Sequence, residues 1–282
     1  MATSGRSWQL ARECWQLPRL GAVMGILNVT PDSFSDGGLY AGVDAAVAHA
    51  RQLVADGADI IDIGGESTRP GSCEVPVQEE LQRVLPVVQA LRAEFPQLRL
   101  SIDTRHAEVA QAALLAGADV VNDITGLADP AMRQVCAQHP CGVVLMHMQG
   151  TPRTMQLAPH YRDIVAEVRA FFEQRVALAV ASGIALQRLC LDPGIGFGKT
   201  TEHNVALVRG LEQLRVQDLP ILMALSRKRF LGDLLCDAAV AKESPLPTVV
   251  MSLLAADSGA DMHRVHDVAS LHQALCLRGH VR

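Results

Sequence analysis

The strongest constraint in this 282-residue sequence is a repeated pattern of residue types. Eight short apolar runs, at 22–29, 59–64, 98–103, 120–124, 142–148, 189–192, 220–225 and 262–268, alternate with apolar residues at helical spacing. In one such stretch Val43, Ala46, Val47, Ala50, Leu53 and Val54 share a helical face. Gly57 follows, where a helix C-terminal stop belongs. Segments 79–95 and 162–183 repeat the plan, the second ending at Gly183. Strands separated by helices of this length make βαβ units, hence an α/β fold with a parallel sheet and right-handed crossovers. Eight units close naturally into a (β/α)8 TIM barrel, for which about 250 residues are typical. A doubly wound open sheet has the same periodicity, so pattern alone leaves closure open.

Composition agrees with that class. Hydrophobic residues make up 49% and aromatics only 4%, which suits a core of Val, Ile, Leu and Ala in strands covered on both faces. No Pro/Gly/Ser-rich linker divides the chain, so one domain is expected, with 1–20 as a cap at the barrel's N-terminal end and 21–282 as the barrel. Segment 236–247 is poorly patterned and holds two prolines, and reads as an irregular loop.

A formal net charge of -5 provides no global basic field for nucleic acid. Seven cysteines, with no C-x-x-C pair, read as free thiols of a reducing compartment. Cys141 and Cys190 lie beside or within apolar runs and are expected in the core. No stretch approaches the roughly 20 apolar residues that span a bilayer, and the first residues lack a signal-like pattern. A soluble cytoplasmic protein with no membrane partner is expected.

The ends of the runs are where chemistry is expected, because barrel strands carry active sites at their C-terminal ends. The first runs into Asn28 through Asp32 and Asp36, and the second, containing Asp62, into Glu66, Thr68, Arg69 and Pro70. The third ends at Asp103, the fourth at Asn122 and Asp123, and the fifth at Met146 and His147. The sixth ends at Asp192 and a glycine run with Phe197 and Lys199, the seventh at Ser226 to Arg229, and the eighth holds Arg264, His266 and Asp267. A single strand-terminal Asp often caps a helix. Eight polar ends on one rim point instead to an active site.

Asp103, Asn122 and Asp192 together suit a flat heterocycle bearing N–H donors beside a carbonyl. Lys228 offsets their charge and can bond a ring acceptor. Arg264 and His266, two apart on the last strand, face the same way and form a candidate anion clamp aided by Arg69; a structural salt bridge is the alternative for Arg264. Asn28, Asp32 and Asp36 offer oxygens to a hard cation such as Mg2+, which keeps several waters. No H-x-x-x-H or clustered Cys/His pattern calls for zinc. Most of the ten histidines are expected at the surface. Met146 lines either a flat pocket or the core. Gly194, Gly196 and Gly198 lack dinucleotide-fingerprint spacing and imply only tight turns. Lys199 either reaches a phosphate or is solvated.

The segments VMGILNVTPDSFSDGG and DGADIIDIGGESTRPG closely resemble the two signature segments of the dihydropteroate synthase family. SIDT, VVNDITG, LMHMQGTPRTMQ, LDPGIGFGKT, SRKRFLG and RVHDV follow in the family's order, so the resemblance covers about 21–275. It implies a transferase that joins 6-hydroxymethyl-7,8-dihydropterin diphosphate to 4-aminobenzoate, with Mg2+ as cofactor and a homodimer as assembly. By that resemblance Thr68, Asp103, Asn122, Met146, Asp192, Phe197 and Lys228 bind the pterin. Asn28, Arg69, Arg264 and His266 take the diphosphate, with Asn28 also the metal ligand. Phe34, Pro70, Lys228 and Arg229 face 4-aminobenzoate, and Asp36, Arg69, Lys228, Arg264 and His266 carry catalysis.

Three positions depart from the family's pattern. Arg229 stands where a serine usually contacts the 4-aminobenzoate carboxylate. It either binds that carboxylate by charge or turns to solvent and leaves the backbone N–H. Ala224 replaces a frequent glycine, and Pro247 occupies the usual glycine position in 244–248. These changes bear on arylamine affinity and allow a sulfonamide-tolerant synthase. A diverged pterin-binding paralogue without turnover is another alternative, although the intact polar set and both loop motifs speak against it. A pterin-dependent methyltransferase would lack TPDSFSD.

Overall fold

The computed structural model describes residues 5–29, 38–67 and 74–281. Asp32, Phe34, Asp36, Thr68, Arg69 and Pro70 lie outside the described residues. An antiparallel hairpin, β1 (Ser7–Gln9) and β2 (Cys14–Gln16), precedes the barrel. The barrel strands are β3 (Ala22–Asn28), β4 (Ile60–Gly64), β5 (Arg99–Asp103), β6 (Val120–Asp123), β7 (Gly142–Met146), β8 (Leu189–Asp192), β9 (Leu222–Met223) and β10 (Met262–Val265). Helices α1 (Gly38–Ala55), α2 (Val77–Glu94), α3 (Ala107–Leu115), α4 (Pro130–Gln138), α5 (Ile164–Ala181) and α6 (Thr201–Arg209) alternate with them. After β9 come α7 (Arg229–Leu235), α8 (Val240–Glu243) and α9 (Leu246–Asp257), and α10 (Val268–Val281) follows β10.

The strands form one sheet in the order β8-β7-β6-β5-β4-β3-β10-β9, with every pair parallel. A parallel bridge between Leu191 and Ile221 joins β8 to the chain entering β9, and so closes the ring. This is the (β/α)8 barrel expected from the pattern, and the open-sheet alternative falls. Strand β9 is shorter than the apolar run that announced it. Pro220 has no N–H to give and serves only as the acceptor for Leu191.

Alternation along each strand sorts the core into two layers. Val23, Leu27, Ile61, Ile63, Leu100, Ile102, Val121 and Val143 face the helices. Met24, Ile60, Val120, Val144, Cys190, Leu222 and Met262 fill the barrel's interior with Trp8, Leu10, Trp15 and Leu17 of the hairpin region. Trp8 is wholly buried, its ring 6.4 Å from that of Trp15, and its indole N–H donates to the Arg188 carbonyl at 2.8 Å. Gly142 opens β7 where a Cβ would come within 2.7 Å of Leu10. The two tryptophans, half-polar in sequence context, thus plug the end of the barrel opposite the chemistry. Cys141 and Cys190 are fully buried, as expected.

Segment 236–247 is not the irregular loop its composition suggested. Asp237 accepts the N–H groups of Ala239 and Val240 and starts the short helix α8. Pro245 and Pro247 sit at the N-cap and first turn of α9, where a missing N–H costs no helical bond. Among the described residues no helix is long and apolar enough to cross a membrane.

Truncating Trp8 removes the largest fully buried side chain. Trp8→Ala is expected to cost about 3–5 kcal/mol of stability. A thermal melt of the variant against the parent measures this, and an unchanged midpoint would deny the hairpin its plugging role.

Candidate active site

Register lines up the rim. Asn28 is paired with Gly64, Gly64 with Asp103, and Asp103 with Asn122, so adjacent strands present these positions at one level. Gly64, which has no side chain, leaves room beside Asp103, whose Cβ lies 3.5 Å from where a Cβ of Gly64 would be. On the other side of the ring, Met146 is paired with Asp192.

Arg264 from β10 reaches across the mouth. Its Nε donates to Asp62 Oδ2 at 2.5 Å and its Nη2 to Asp103 Oδ2 at 2.7 Å. Asn122 Nδ2 donates to the same Asp62 oxygen at 3.0 Å. Asp62 is fully buried, and its Oδ1 has no hydrogen-bond partner among the described residues. The salt-bridge alternative for Arg264 is therefore present in the structure, but its partners are themselves members of the site. Asp62 is the residue that sequence reasoning passed over. Its signal was a carboxylate alternating with Ile61 and Ile63 on a strand that is otherwise apolar.

These contacts set the protonation states. Desolvation pushes Asp103 up to about 7, with Asp62 adding to the rise and Arg264 opposing it. Asp192 is likewise raised by burial, against the Gly194 N–H that donates to its Oδ1 at 2.7 Å. Burial alone would lower Arg264, but Asp62 and Asp103 hold it above its ordinary value. Asp123, the other acid on β6, accepts from Thr125 and from the Leu127 N–H. It orders the β6–α4 turn and takes no part in the mouth.

An apolar cluster lies beside Asp192, whose strand neighbour is Met146. Met146 and Phe197 are packed with Ile124 and Met155, with Met148 alongside. Met146 is thus part of a buried apolar cluster, and Ile124 and Met155 are members that periodicity could not single out. Lys228, at the N-cap of α7, holds its Nζ 4.2 Å above the centre of the Phe197 ring. His266 follows β10, and its Nδ1 lies 2.9 Å from Ser226 Oγ, which also accepts the His266 backbone N–H at 3.2 Å. Ser226 thereby fixes the ring's orientation.

One expectation changes. Lys199 neither reaches outward nor is solvated: it is 3% exposed and bonded to backbone carbonyls beneath the β8–α6 loop. His147 is buried beside it, an exception on a chain where most histidines are not buried, as expected. Arg229 opens α7 with a side chain 91% exposed, 3.6 Å from Asp233. That is the solvent-facing alternative, with the backbone left at the helix start.

For a divalent ion, Asn28 provides the described oxygen donor at the mouth. Elsewhere, Glu66, Glu80 and His106 bring candidate ligand atoms within 4.8 Å of one another. Arg105 forks onto Glu66 at 3.0 Å, and His106 Nδ1 lies 2.6 Å from Glu80 Oε2. These contacts hold Glu66, just after β4, where it also accepts the Val75 N–H.

The family model described as "Pterin binding enzyme" matches residues 24–266. A dihydropteroate synthase of Synechocystis sp. is 48% identical over 252 residues, 89% of this chain and 86% of the relative. The solved dihydropteroate synthase of Xanthomonas albilineans with 4-aminobenzoic acid superposes with a TM-score of 0.91 at 46% identity, covering 99% of this chain and 98% of that one. That of Burkholderia cenocepacia complexed with 7,8-dihydropteroate gives 0.89 at 40% identity, covering 100% and 98%. With acids, amide and guanidinium meeting at the mouth of a barrel of this likeness, the chain belongs to the pterin-binding enzymes, in the dihydropteroate synthase family.

Proposed function

We propose that this chain condenses 6-hydroxymethyl-7,8-dihydropterin diphosphate with 4-aminobenzoate, giving 7,8-dihydropteroate and diphosphate. The observation that carries the reading is the Asp62–Arg264–Asp103 network beside Asn122 and Asp192 at a mouth walled by Met146 and Phe197. Carboxylates raised by burial gain most from a ligand that brings N–H donors, because the ligand replaces water they have lost. A pterin ring offers such donors on one edge and a flat face to the wall. Lys228 then lies over that wall as a donor to ring acceptors.

In the reaction the C–O bond from the pterin methylene to diphosphate breaks, a C–N bond to the arylamine forms, and the amine gives up a proton. No covalent enzyme intermediate is needed. Negative charge grows on the leaving oxygens, and Asn28, Arg264 and the oriented His266 are the described groups assigned to it. Mg2+ fits the donor set, since it takes one or two protein oxygens, keeps waters and leaves the remaining positions to phosphate. Asn28 is its assigned ligand, and the ion would supply charge neutralisation for the leaving diphosphate. Phe34, Asp36, Thr68, Arg69 and Pro70, which lie outside the described residues, keep the roles that family likeness assigns them.

Two copies are proposed to associate through α9 and α10. Leu246, Val250 and Leu254 form a stripe at four-residue spacing on α9, 65%, 47% and 50% exposed, and Leu277 of the neighbouring α10 is 68% exposed. Exposed apolar surface of this kind marks an interaction face. A cytoplasmic location is supported by free thiols at Cys136, Cys141 and Cys190.

Mixing the purified protein with the pterin diphosphate, 4-aminobenzoate and Mg2+ is expected to release diphosphate in step with dihydropteroate. Pterin binding without release would turn the reading to a non-catalytic paralogue. Leu254→Glu is expected to shift the protein from dimer to monomer in size exclusion with light scattering; a monomeric parent would end the pairing proposal.

Asp103 provides a test with a pH sign. Its folded pKa lies above its unfolded value, so the folded state retains a proton that the unfolded state loses as pH rises from about 4 to 7. Stability from this group is therefore present at low pH and lost through that window. Asp103→Asn is expected to melt at or above the parent at pH 8, to lose that advantage at pH 5, and to weaken pterin binding at least about ten-fold. A variant less stable at pH 8 than at pH 5, relative to the parent, would refute the assigned cost.

A further inference from the structure

The loop that follows Asp192 is bent to an unusual degree. Gly194, Gly196 and Gly198 all have positive φ, at 66°, 80° and 62°. A Cβ at Gly194 would overlap the His147 carbonyl oxygen, and one at Gly198 would lie 2.6 Å from the Gln149 carbonyl oxygen. The loop therefore lies directly on the backbone leaving β7. Curling it this tightly turns several carbonyls inward, where water cannot reach them and their dipoles oppose one another.

Lys199 sits at their meeting point. Its Nζ lies 2.9 Å from the Gly194 carbonyl, 2.9 Å from the Phe197 carbonyl, 3.3 Å from the His147 carbonyl and 2.9 Å from His147 Nδ1. No carboxylate is among these partners. The His147 ring is held in turn against Phe171, edge to face at 4.8 Å. Two other carbonyls of the loop have separate partners: Gln156 Nε2 donates to Gly196 at 2.6 Å, and the Tyr161 hydroxyl to Gly198 at 2.9 Å.

A buried ammonium without a carboxylate in contact is costly, and an apolar side chain would fill the space at lower cost. Desolvation pulls the Lys199 pKa down to about 7, which registers that cost. What the charge provides is a set of strong donors to converging carbonyls. One of those carbonyls belongs to Phe197 itself, whose ring packs with Met146 and lies beneath Lys228.

We propose that Lys199 is a positioning residue for the pterin substrate: it pins the 194–198 loop onto the end of β7 and so holds Phe197 in the pocket wall. It touches no substrate and acts through Phe197. The proposal rests on the synthase reading, so the parent's diphosphate release is measured first; absence of turnover there would defeat that reading and leave this one to direct binding of the pterin diphosphate.

Lys199→Met is expected to raise KM for the pterin diphosphate roughly ten-fold, the effect of losing charge-assisted hydrogen bonds. The KM for 4-aminobenzoate at saturating pterin substrate should stay within about two-fold, since the change reaches the other substrate only indirectly. In a Phe197→Ala background the same substitution should add little, because the two residues act as one unit. If Lys199→Met does not fold, as judged by circular dichroism, Tyr161→Phe removes one bond to the same loop. It should shift the pterin KM alone in the same direction. Unchanged pterin KM in the folded variants, equal rises for both substrates, or full additivity with Phe197→Ala would each overturn the proposal.

Discussion

One guanidinium organises the mouth of this barrel. Arg264 bonds Asp62 and Asp103, which come from β4 and β5, and Asn122 of β6 adds a bond to Asp62. Three carboxylates, counting Asp192, thus share a desolvated rim, and two of them bond the Arg264 guanidinium. Such a set is not optimised for folding, because leaving a buried charge incompletely compensated costs stability. Asp62 Oδ1 has no partner among the described residues, and burial raises both Asp103 and Asp192. A donor-bearing heterocycle is the ligand proposed to complete such a rim.

The remainder of the structure makes that strain tolerable. The opposite end of the barrel is closed by apolar packing around Trp8 and Trp15, and the layer below the acids is filled by Met24, Val120, Val144 and Cys190. Strands buried on both faces form a rigid wall. Stability is concentrated at the bottom and polarity at the top, the division expected when a barrel keeps its chemistry at the strands' C-terminal ends. The β8–α6 loop follows the same division on a smaller scale, with backbone packing below and the Phe197 ring above.

Much of this was legible in the residues, for identifiable reasons. Apolar runs with a polar terminus reveal strand number and direction, and they place Asp103, Asn122 and Asp192 at or next to strand C-terminal ends. Closure was not legible, since it depends on the Leu191–Ile221 bridge between residues whose period is the same in an open sheet. Asp62 was missed as a site member because it lies inside a run and its partner Arg264 is 202 residues away. The α8–α9 segment was misread because prolines break helices in the interior yet favour the first turn, and composition does not report position. The apolar wall residues Ile124 and Met155 carry no polar mark, so only contact identifies them.

Lys199 shows where local reading fails most completely. A lysine after a glycine-rich turn reads as a phosphate ligand or a solvated side chain, because both put the charge in water or against an anion. Neither applies when the loop's own carbonyls converge on one point. Glycines at 194, 196 and 198 permit the backbone path, but permission is not stability: with no side chains of their own they contribute no packing and have more conformational freedom to lose. A buried ammonium bonded to Gly194, Phe197 and His147 supplies the missing constraint. The flexible sequence and the costly charge are therefore two halves of one solution, and neither is intelligible from its own residue type alone.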